Sequence, residues 1–280
     1  MYQSPMLLHK IDEPFADSND QYLVELKADG IRLIVSKWNN SLRFYTRHNN
    51  DVTYRFAKYF LDLEIPDGTI IDTEIIVTDD KGKPDFEKVL HVFQSNNSEY
   101  QPVLFAFDIL YYNYKKLTSL HILKRKEILQ DILPKSQKIT SVKYMIGNGT
   151  SYFKAIKEND LEGIVFKDIE KDTKYHINKR SFSWLKLINY KYTNCYILGS
   201  RKQEFGWLLG IEEANDIRPV GVMEFVPPAA RKKIYQIQDK LKIRENEKYI
   251  YFEPKIKCEI KFRNFTSNNL LRIPSFIKFL

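Results

Sequence analysis

The order of apolar and polar side chains predicts mostly strands, with two helices, in the first two-thirds of the chain. Residues 21–27 and 31–35 are predicted strands, and the Ala-Asp-Gly sequence between them is a tight loop, because Asp-Gly is a frequent turn sequence. β-Branched and aromatic residues predict further strands at 42–47, 69–78, 103–112, 161–167 and 182–188. Helical spacing of apolar residues predicts helices at 86–93 and 120–133, and Pro134 ends the second.

The pattern changes after about residue 190. Short strands are predicted at 194–200, 206–211, 221–226, 249–252 and 255–262 and at the end of the chain. Pro227 and Pro228 open a basic helical stretch that extends to about residue 243, since proline suits the first turn of a helix. Short strands with one inserted helix predict a small Greek-key barrel of the oligonucleotide-binding (OB) type, and a generic β-rich domain is the alternative.

The composition is that of a globular intracellular protein. The chain has 280 residues, of which 43% are hydrophobic and 29% charged, and its mean hydropathy is −0.43. There is no apolar run near the ~20 residues that a membrane helix requires, and no secretory leader is recognisable. Cys195 and Cys258 are too few for a disulfide framework. We therefore expect a monomer in the reducing cytoplasm, without a membrane partner.

Charge divides the chain into two parts. Residues 191–280 hold 17 Lys and Arg against 10 Asp and Glu, whereas the first 190 residues hold 27 against 26. We therefore expect two domains, 1–189 and 190–280, of which the basic second one faces a polyanion such as nucleic acid. A solvated basic surface without a partner is the alternative.

One short segment contains a candidate nucleophile. Lys27 stands at the end of a predicted strand, beside the Asp-Gly turn, where its amine is held rather than mobile. A lysine amine becomes nucleophilic when burial or nearby positive charge lowers its pKa, and Arg32 or a divalent metal ion could supply that charge. Asp29 could orient the amine, and Gly30 would allow a ligand to approach the backbone.

The sequence Lys-x-Asp-Gly-x-Arg at 27–32 resembles motif I of the covalent nucleotidyltransferases, which comprise ATP-dependent DNA ligases, RNA ligases and mRNA capping enzymes. Four fixed positions arise by chance in a chain of this size about three times in a thousand, so motif I alone leaves a salt-bridged surface hairpin open. Further matches follow in the family's order. They are residues 45–48 with Arg47 (motif Ia), Asp72-Thr73-Glu74, residues 105–110 with Phe107 (motif III), Glu162 to Lys167 (motif IV) and Trp184-Leu185-Lys186 (motif V). Ile188 stands where motif V usually has a second lysine.

The resemblance implies an α+β nucleotidyltransferase domain with antiparallel sheets and flanking helices, followed by an OB-fold domain. It implies that Lys27 is the catalytic nucleophile, that ATP donates AMP, and that Mg²⁺, or Mn²⁺ in its place, assists. The implied nucleotide-binding residues are Glu25, Arg32, Arg47, Glu74, Phe107, Lys167 and Lys186, with Phe107 stacking on adenine. The implied metal ligands are Glu162 and Glu74, and the supporting residues are Asp29, Gly30 and Arg272.

The substrate implied by the resemblance is nicked double-stranded DNA. Residues 262–266 and 271–276 are similar to the C-terminal barrel of bacterial and phage DNA ligases, and the short chain is typical of the minimal phage-like type. An RNA ligase or a capping-type enzyme is the alternative within the superfamily. A nucleic-acid-binding homologue with impaired catalysis is the alternative outside the enzymes, and Ile188 favours it weakly.

Overall fold

Two units, Met1–Asn189 and Tyr190–Leu280, make up the structure, a computed structural model that describes residues 1–95, 97–214 and 216–280. The strands of the first unit are β1 (Leu7–Lys10), β2 (Tyr22–Lys27), β3 (Ile31–Trp38), β4 (Ser41–Thr46), β5 (Thr69–Ile76), β6 (Val103–Tyr112), β7 (Lys115–Lys116), β8 (Ile139–Ser141), β9 (Tyr144–Ile146), β10 (Gly163–Asp168) and β11 (Arg180–Ile188). Its helices are α1 (Thr53–Phe60), α2 (Phe86–Gln94), α3 (Ile122–Ile132) and α4 (Gly149–Glu158).

The first sheet of this unit has the strand order β1-β11-β10-β2-β9. β1 runs parallel to β11, and the other neighbours are antiparallel. Gly163 lies opposite both Lys27 on β2 and Ile188 on β11, so these three positions form one row across the sheet. Helix α4 covers one face, where Phe153 and Ile156 pack in an apolar cluster with residues of β2, β10 and β11.

The second sheet has the order β4-β3-β5-β6-β7, and β8 adds to β6. Helices α1, α2 and α3 contact β4, β5 and β6, and a large aromatic and aliphatic core lies beneath them. The other faces of the two sheets meet through a second cluster that includes Leu23 and Trp184 of the first sheet and Ile34 and Ile70 of the second. Side chains two or four residues from these on the same strands share this face and can therefore line a space between the sheets.

The chain crosses between the two sheets at Ala28-Asp29-Gly30. β2 ends at Lys27 in the first sheet, and β3 begins at Ile31 in the second. Gly30 is required there because a Cβ atom would lie 2.2 Å from the carbonyl oxygen of Ile75. The two predicted strands are thus present, but they are not paired with each other as a hairpin.

The second unit contains strands β12 (Lys191–Arg201), β13 (Trp207–Glu213), β14 (Asp216–Met223), β15 (Lys242–Glu245), β16 (Tyr249–Phe252), β17 (Lys257–Phe262) and β18 (Ser275–Phe279) and helix α5 (Pro228–Leu241). The sheet has the order β14-β13-β12-β16-β15, and β17 pairs with both β12 and β18. The core of the second unit includes Trp207 of β13 and Ile234 of α5. Cys195 and Cys258 lie opposite each other on β12 and β17, buried as free thiols, and burial raises the pKa of each to about 12.

The predicted helices at 86–93, 120–133 and 228–243 are present with ends shifted by at most two residues. The strand predicted at 221–226 is instead the end of β14, which stops at Met223. Helices α1 and α4, of eight and ten residues, were not predicted. No helix in the described part of the chain is both long and apolar enough to cross a membrane.

Candidate active site

A cavity of about 210 Å³ in the first unit brings together residues from both sheets. Its walls include Lys27 and every residue that the motifs predict to bind the nucleotide, namely Glu25, Arg32, Arg47, Glu74, Phe107, Lys167 and Lys186. Glu162 joins them through an ion pair with Lys27. Arg272 belongs to the second unit, where its backbone N–H donates to the carbonyl of Asn264.

Lys27 is held by carboxylates. Its Nζ lies 2.7 Å from Glu162 Oε1, and both side chains are mostly buried. Burial lowers the pKa of Lys27, but the charges of Glu162 and Glu74 outweigh burial and raise it above its ordinary value. The expectation of a lowered pKa is therefore wrong for this arrangement. The amine carries a proton at neutral pH, and it must lose this proton before it can act as a nucleophile.

Glu74, in contrast to Lys27, is shifted toward its uncharged form. It follows Asp72 by two residues on β5 and lies opposite Arg32 of β3. Burial and the negative charge of Glu162 raise its pKa to about 7, although Lys27 and Arg32 act to lower it. Glu74 is therefore partly protonated near neutral pH. A cation placed beside it would stabilise the ionised carboxylate, whereas a hydroxyl oxygen that accepts its proton in a hydrogen bond would stabilise the neutral acid.

Two side chains that were not predicted to belong to the site, Asp72 and Tyr175, hold Arg32 in place. Its Nε donates to Asp72 Oδ1 at 2.8 Å, its Nη2 donates to Asp72 Oδ2, and its Nη1 donates to the carbonyl oxygen of Met6 at 2.7 Å. Tyr175 Oη donates to the same carboxylate at 2.5 Å. Asp72 and Glu74 are two acids spaced by two residues in a strand whose other residues are isoleucine and threonine, which is a signal that the sequence did offer.

An aromatic wall forms one side of the cavity. Phe107 of β6 and Trp184 of β11 pack edge to face, with ring centroids 6.3 Å apart. The Nζ of Lys167 lies 4.1 Å from the Trp184 ring centroid and 5.0 Å from that of Phe107, and it donates to the Phe107 carbonyl at 3.0 Å. Arg32 approaches the Phe107 ring at 5.2 Å. The two cations thus lie over the Phe107 ring, and a flat apolar ring beside cations suits a purine base.

Next to this wall lies a buried cluster of two lysines and one glutamate. Glu25 pairs with Lys167 at 2.8 Å and also with Lys126 from α3, and each of these side chains is at most 4% exposed. Burial lowers the pKa of Lys167 to about 7 and lowers that of Lys126 well below its ordinary value, with the charge of Lys167 adding to the effect on Lys126. No motif signals Lys126, because only the fold brings α3 to β2.

The outer part of the cavity is cationic. Lys186 lies half-buried on β11, and Arg47, just after β4, is exposed. Burial lowers the pKa of Lys186, and the positive charges of Lys27, Arg180 and Arg47 lower it further, against the effect of Glu162. These cations thus lie near one another, as an anion such as a phosphate chain would require.

The two supporting residues of motif I lie in the turn between β2 and β3. Gly30 accommodates the backbone of β5, because a Cβ atom there would lie 2.2 Å from the carbonyl oxygen of Ile75. Asp29 is buried beside the turn, and its charge raises the pKa of Lys27. It therefore favours the protonated amine rather than the nucleophilic one.

Glu74 and Glu162 fit a divalent cation in part. The two carboxylates lie close enough for the charge of Glu162 to raise the pKa of Glu74, and hard cations prefer such oxygen ligands. No group of three or more His, Cys, Asp or Glu side chains in the described residues could enclose a metal ion. The donor set therefore fits Mg²⁺ held by one or two carboxylates together with phosphate oxygens of a substrate.

Sequence comparison identifies the family. Residues 5–187 match the family described as the ATP dependent DNA ligase domain. The chain belongs to the ATP-dependent DNA ligase family. The ligase is 42% identical over 276 residues to the SPbeta prophage-derived DNA ligase-like protein LigB of Bacillus subtilis, covering 99% of this chain and 98% of that protein. It is 30% identical to a probable DNA ligase of Dictyoglomus thermophilum, over 85% of this chain, but it spans only 46% of that relative.

Solved structures confirm the predicted fold class of the ligase. The structure described as part of an analysis of Lig E DNA ligases matches with a TM-score of 0.68 at 16% identity, and each chain is covered completely. Mycobacterial DNA ligase D complexed with ATP and MES matches with a TM-score of 0.60 at 20% identity, covering 99% of this chain and 95% of that one. The ligase therefore has the α+β architecture of a nucleotidyltransferase domain followed by an OB-fold domain.

Proposed function

We propose that this protein seals nicks in duplex DNA through a covalent lysyl-AMP intermediate on Lys27, with ATP as the AMP donor. The observation that carries the proposal is the single cavity in which Lys27, the aromatic wall and the outer cations meet. The wall suits adenine, the cations suit a phosphate chain, and the amine lies between acidic groups that can hold its proton. The relatives named DNA ligases supply the class of substrate.

The reaction takes three steps. Lys27 Nζ gives one proton to solvent and attacks the α-phosphorus of ATP, so that an N–P bond forms, the bond to pyrophosphate breaks and the nitrogen releases a second proton to solvent. A 5′-phosphate oxygen at the nick then attacks the AMP phosphorus, the N–P bond breaks, and the lysine nitrogen regains a proton. Finally the 3′-hydroxyl attacks the activated 5′-phosphate, a phosphodiester forms, and AMP leaves. Such transfers depend on alignment and charge neutralisation more than on acid–base catalysis.

The residues of the cavity divide this work. Phe107 stacks on adenine, Glu25 and Lys167 face its edge, and Glu162 orients the amine of Lys27 through their existing contact. Arg32 and Arg47 bind ribose or phosphate oxygens, for which a planar guanidinium offers parallel donors. Glu74 and Glu162 would hold Mg²⁺ or Mn²⁺, and such a cation neutralises phosphate charge and cancels the carboxylate charges that keep Lys27 protonated.

The second unit would bind the duplex. Its 17 basic against 10 acidic residues make it the more cationic part of the chain. A ligase must join ends of any sequence, so contacts with the phosphate backbone rather than with base edges suit the task. Arg272 would be one of these contacts.

Labelling with α-³²P-ATP and a divalent cation tests the proposal. After denaturing electrophoresis the label stays on the wild-type chain, is absent from Lys27→Ala, and is absent from Lys27→Arg, because a guanidinium stays protonated and cannot attack. Addition of nicked duplex DNA then discharges the label and yields sealed product. Label on the Lys27→Arg variant would place the nucleophile elsewhere. Discharge by nicked RNA or by triphosphate-ended RNA, but not by nicked DNA, would replace the proposed substrate.

A further inference from the structure

Both carboxylate oxygens of Glu25 are bound by lysines. Glu25 belongs to β2 and to the wall of the cavity, and its side chain is 2% exposed. Lys167, another residue of the wall, has its Nζ 2.8 Å from Oε2 of Glu25. Oε1 is paired with Nζ of Lys126, which comes from α3 and lies outside the wall. Lys126 therefore acts on an occupant of the cavity through the carboxylate that it holds.

Helix α3 fixes the position of Lys126 relative to the aromatic wall. Arg125, the residue before it, is fully buried and forms a two-pronged ion pair with Asp108 of β6, through Nε at 2.7 Å and Nη2 at 2.9 Å. Asp108 directly follows Phe107 on β6. Lys126 and the Phe107 ring are thus anchored to the same strand of the second sheet, whereas Glu25 belongs to the first sheet. The contact between Lys126 and Glu25 therefore sets the carboxylate relative to the ring.

A carboxylate at the edge of the base suits adenine. Glu25 and Phe107 line the same cavity, so a purine stacked on the ring can turn its edge toward the carboxylate. Adenine carries an amino group, which donates hydrogen bonds, where guanine carries a carbonyl oxygen, which accepts them. An ionised carboxylate accepts only, and its two oxygens offer about four lone-pair sites, enough for two lysines and one amino group. The same carboxylate would repel the carbonyl oxygen of guanine.

We propose that Lys126 is a positioning residue that gives the cavity its preference for adenine: its contact with Oε1 keeps the carboxylate of Glu25 turned toward the amino group of the base. This inference rests on the proposed function, because ATP is the occupant. Without Lys126, Lys167 is the lysine that remains to orient the carboxylate, and it does so from one side only. The hydrogen bond to the amino group is then misaligned, and hydrogen bonds weaken steeply with misalignment.

Covalent labelling with two nucleotides tests this inference. Purine riboside 5′-triphosphate matches ATP but lacks the amino group, so the ratio of kcat/KM for the two isolates the contact with that group. The wild type should favour ATP roughly tenfold, the worth of one hydrogen bond to a charged group. In Lys126→Met, kcat/KM should fall roughly tenfold with ATP and less than about twofold with the analogue. The loss should appear in KM rather than in kcat, because the base is held alike before and during the reaction.

Two further variants are the controls. Lys126→Gln retains an N–H donor on a side chain one atom shorter and should restore part of the preference for ATP. Lys124→Met removes a lysine from the exposed side of the same helix, where Lys124 pairs with Glu127 at 2.8 Å, and should leave kcat/KM for both nucleotides unchanged. Dissociation constants from equilibrium dialysis in the Lys27→Ala background repeat the comparison without a covalent step.

Three results would overturn the inference. Equal losses with ATP and with the analogue in Lys126→Met would reduce Lys126 to a structural role. An unchanged preference in that variant would show that Glu25 needs no support from α3. Equal use of both nucleotides by the wild type would show that Glu25 does not contact the amino group. Failure of the proposed function differs from all three, because the wild type would then form no lysyl-AMP, while the dialysis ratios would still report on Lys126.

Discussion

Arg32 and Asp72 form a two-pronged ion pair across β3 and β5, with Arg32 Nε 2.8 Å from Asp72 Oδ1. Tyr175 donates to the same carboxylate and accepts the backbone N–H of Met6 at 2.9 Å. Burial and the charge of Asp72 raise the pKa of Tyr175 well above its ordinary value, so the hydroxyl stays a donor at any physiological pH. The guanidinium is therefore held in place before any nucleotide arrives, which lowers the entropy cost of binding a phosphate.

Asp72→Asn should impair the enzyme mainly through Arg32. The neutral amide leaves a buried guanidinium without its counter-charge, so we expect a loss of about 3–5 kcal/mol in the free energy of unfolding. Lysyl-AMP formation should slow by at least about tenfold, the cost of a misplaced charged contact of about 1.4 kcal/mol. Labelled ATP and chemical denaturation measure the two effects.

Tyr175→Phe and Thr73→Val complete this test. Tyr175→Phe removes one hydrogen bond to Asp72 and keeps the ring, so its effect on adenylation should be smaller but in the same direction. Thr73 lies between Asp72 and Glu74 on β5, and its hydroxyl donates to the Leu33 carbonyl at 2.8 Å, away from Arg32. Thr73→Val should lower stability by about 1 kcal/mol without slowing adenylation. Equal slowing in both variants would show that stability, not the position of Arg32, governs the rate.

The cluster of Glu25, Lys126 and Lys167 should make stability rise with pH. Both lysines have a pKa lowered in the folded state, to about 7 for Lys167, whereas the unfolded chain holds those protons up to the ordinary value of 10.5. Between these limits the unfolded state binds more protons, so unfolding becomes less favourable as pH rises, by up to about 1.4 kcal/mol per pH unit for each lysine. Below pH 7 this dependence is absent for Lys167.

Lys126→Met isolates the effect, because methionine fills much of the lysine stem without the charge. The variant removes one depressed lysine and relieves repulsion on the other. Its thermal unfolding midpoint should therefore gain less than that of the wild type between pH 7 and pH 9. Lys124→Met on the exposed side of α3, where Lys124 pairs with Glu127 at 2.8 Å, is the control. Parallel pH profiles for wild type and Lys126→Met would contradict the lowered pKa values.

The residues that the ordered motifs select line one cavity, and they could be selected because each motif is local and carries its own chemistry. Lys27, Phe107 and Lys186 could be predicted from the short strand segments that contain them. Lys126 and Tyr175 could not be found in this way, since their partners lie 101 and 103 residues away and no spacing in the sequence links them. The raised pKa of Lys27 was missed for a related reason: the sequence shows which charges are near in the chain, while folding decides which are near in space.

DNA binding should weaken steeply with salt. Neutralising phosphates releases counterions, so each phosphate contact contributes about −0.9 to the slope of log K against log salt. Raising salt from about 50 to 200 mM should weaken binding of a nicked duplex to the full chain by at least about tenfold, which requires only two such contacts. Lysyl-AMP formation over the same range is the control and should change less. An unchanged Kd would remove the electrostatic role of the second unit.

Ile188→Lys should strengthen ATP binding, because position 188 shares a row with Lys27. Gly163 lies opposite both residues, so the side chain at 188 stands on the same face as Lys27, two strands or about 10 Å away. A lysine there can reach toward the phosphates that Lys27 and Lys186 face, and it supplies the cation that motif V otherwise has. We expect roughly twofold to fivefold tighter ATP binding, the worth of a partly solvated charge contact of about 0.5–1 kcal/mol. Ile188→Met, similar in size and without charge, should bind ATP as the wild type does, and equilibrium dialysis compares the three. If the lysine variant bound ATP no more tightly than the methionine variant, the row would not face the phosphates, and the isoleucine would reflect packing rather than a missing contact.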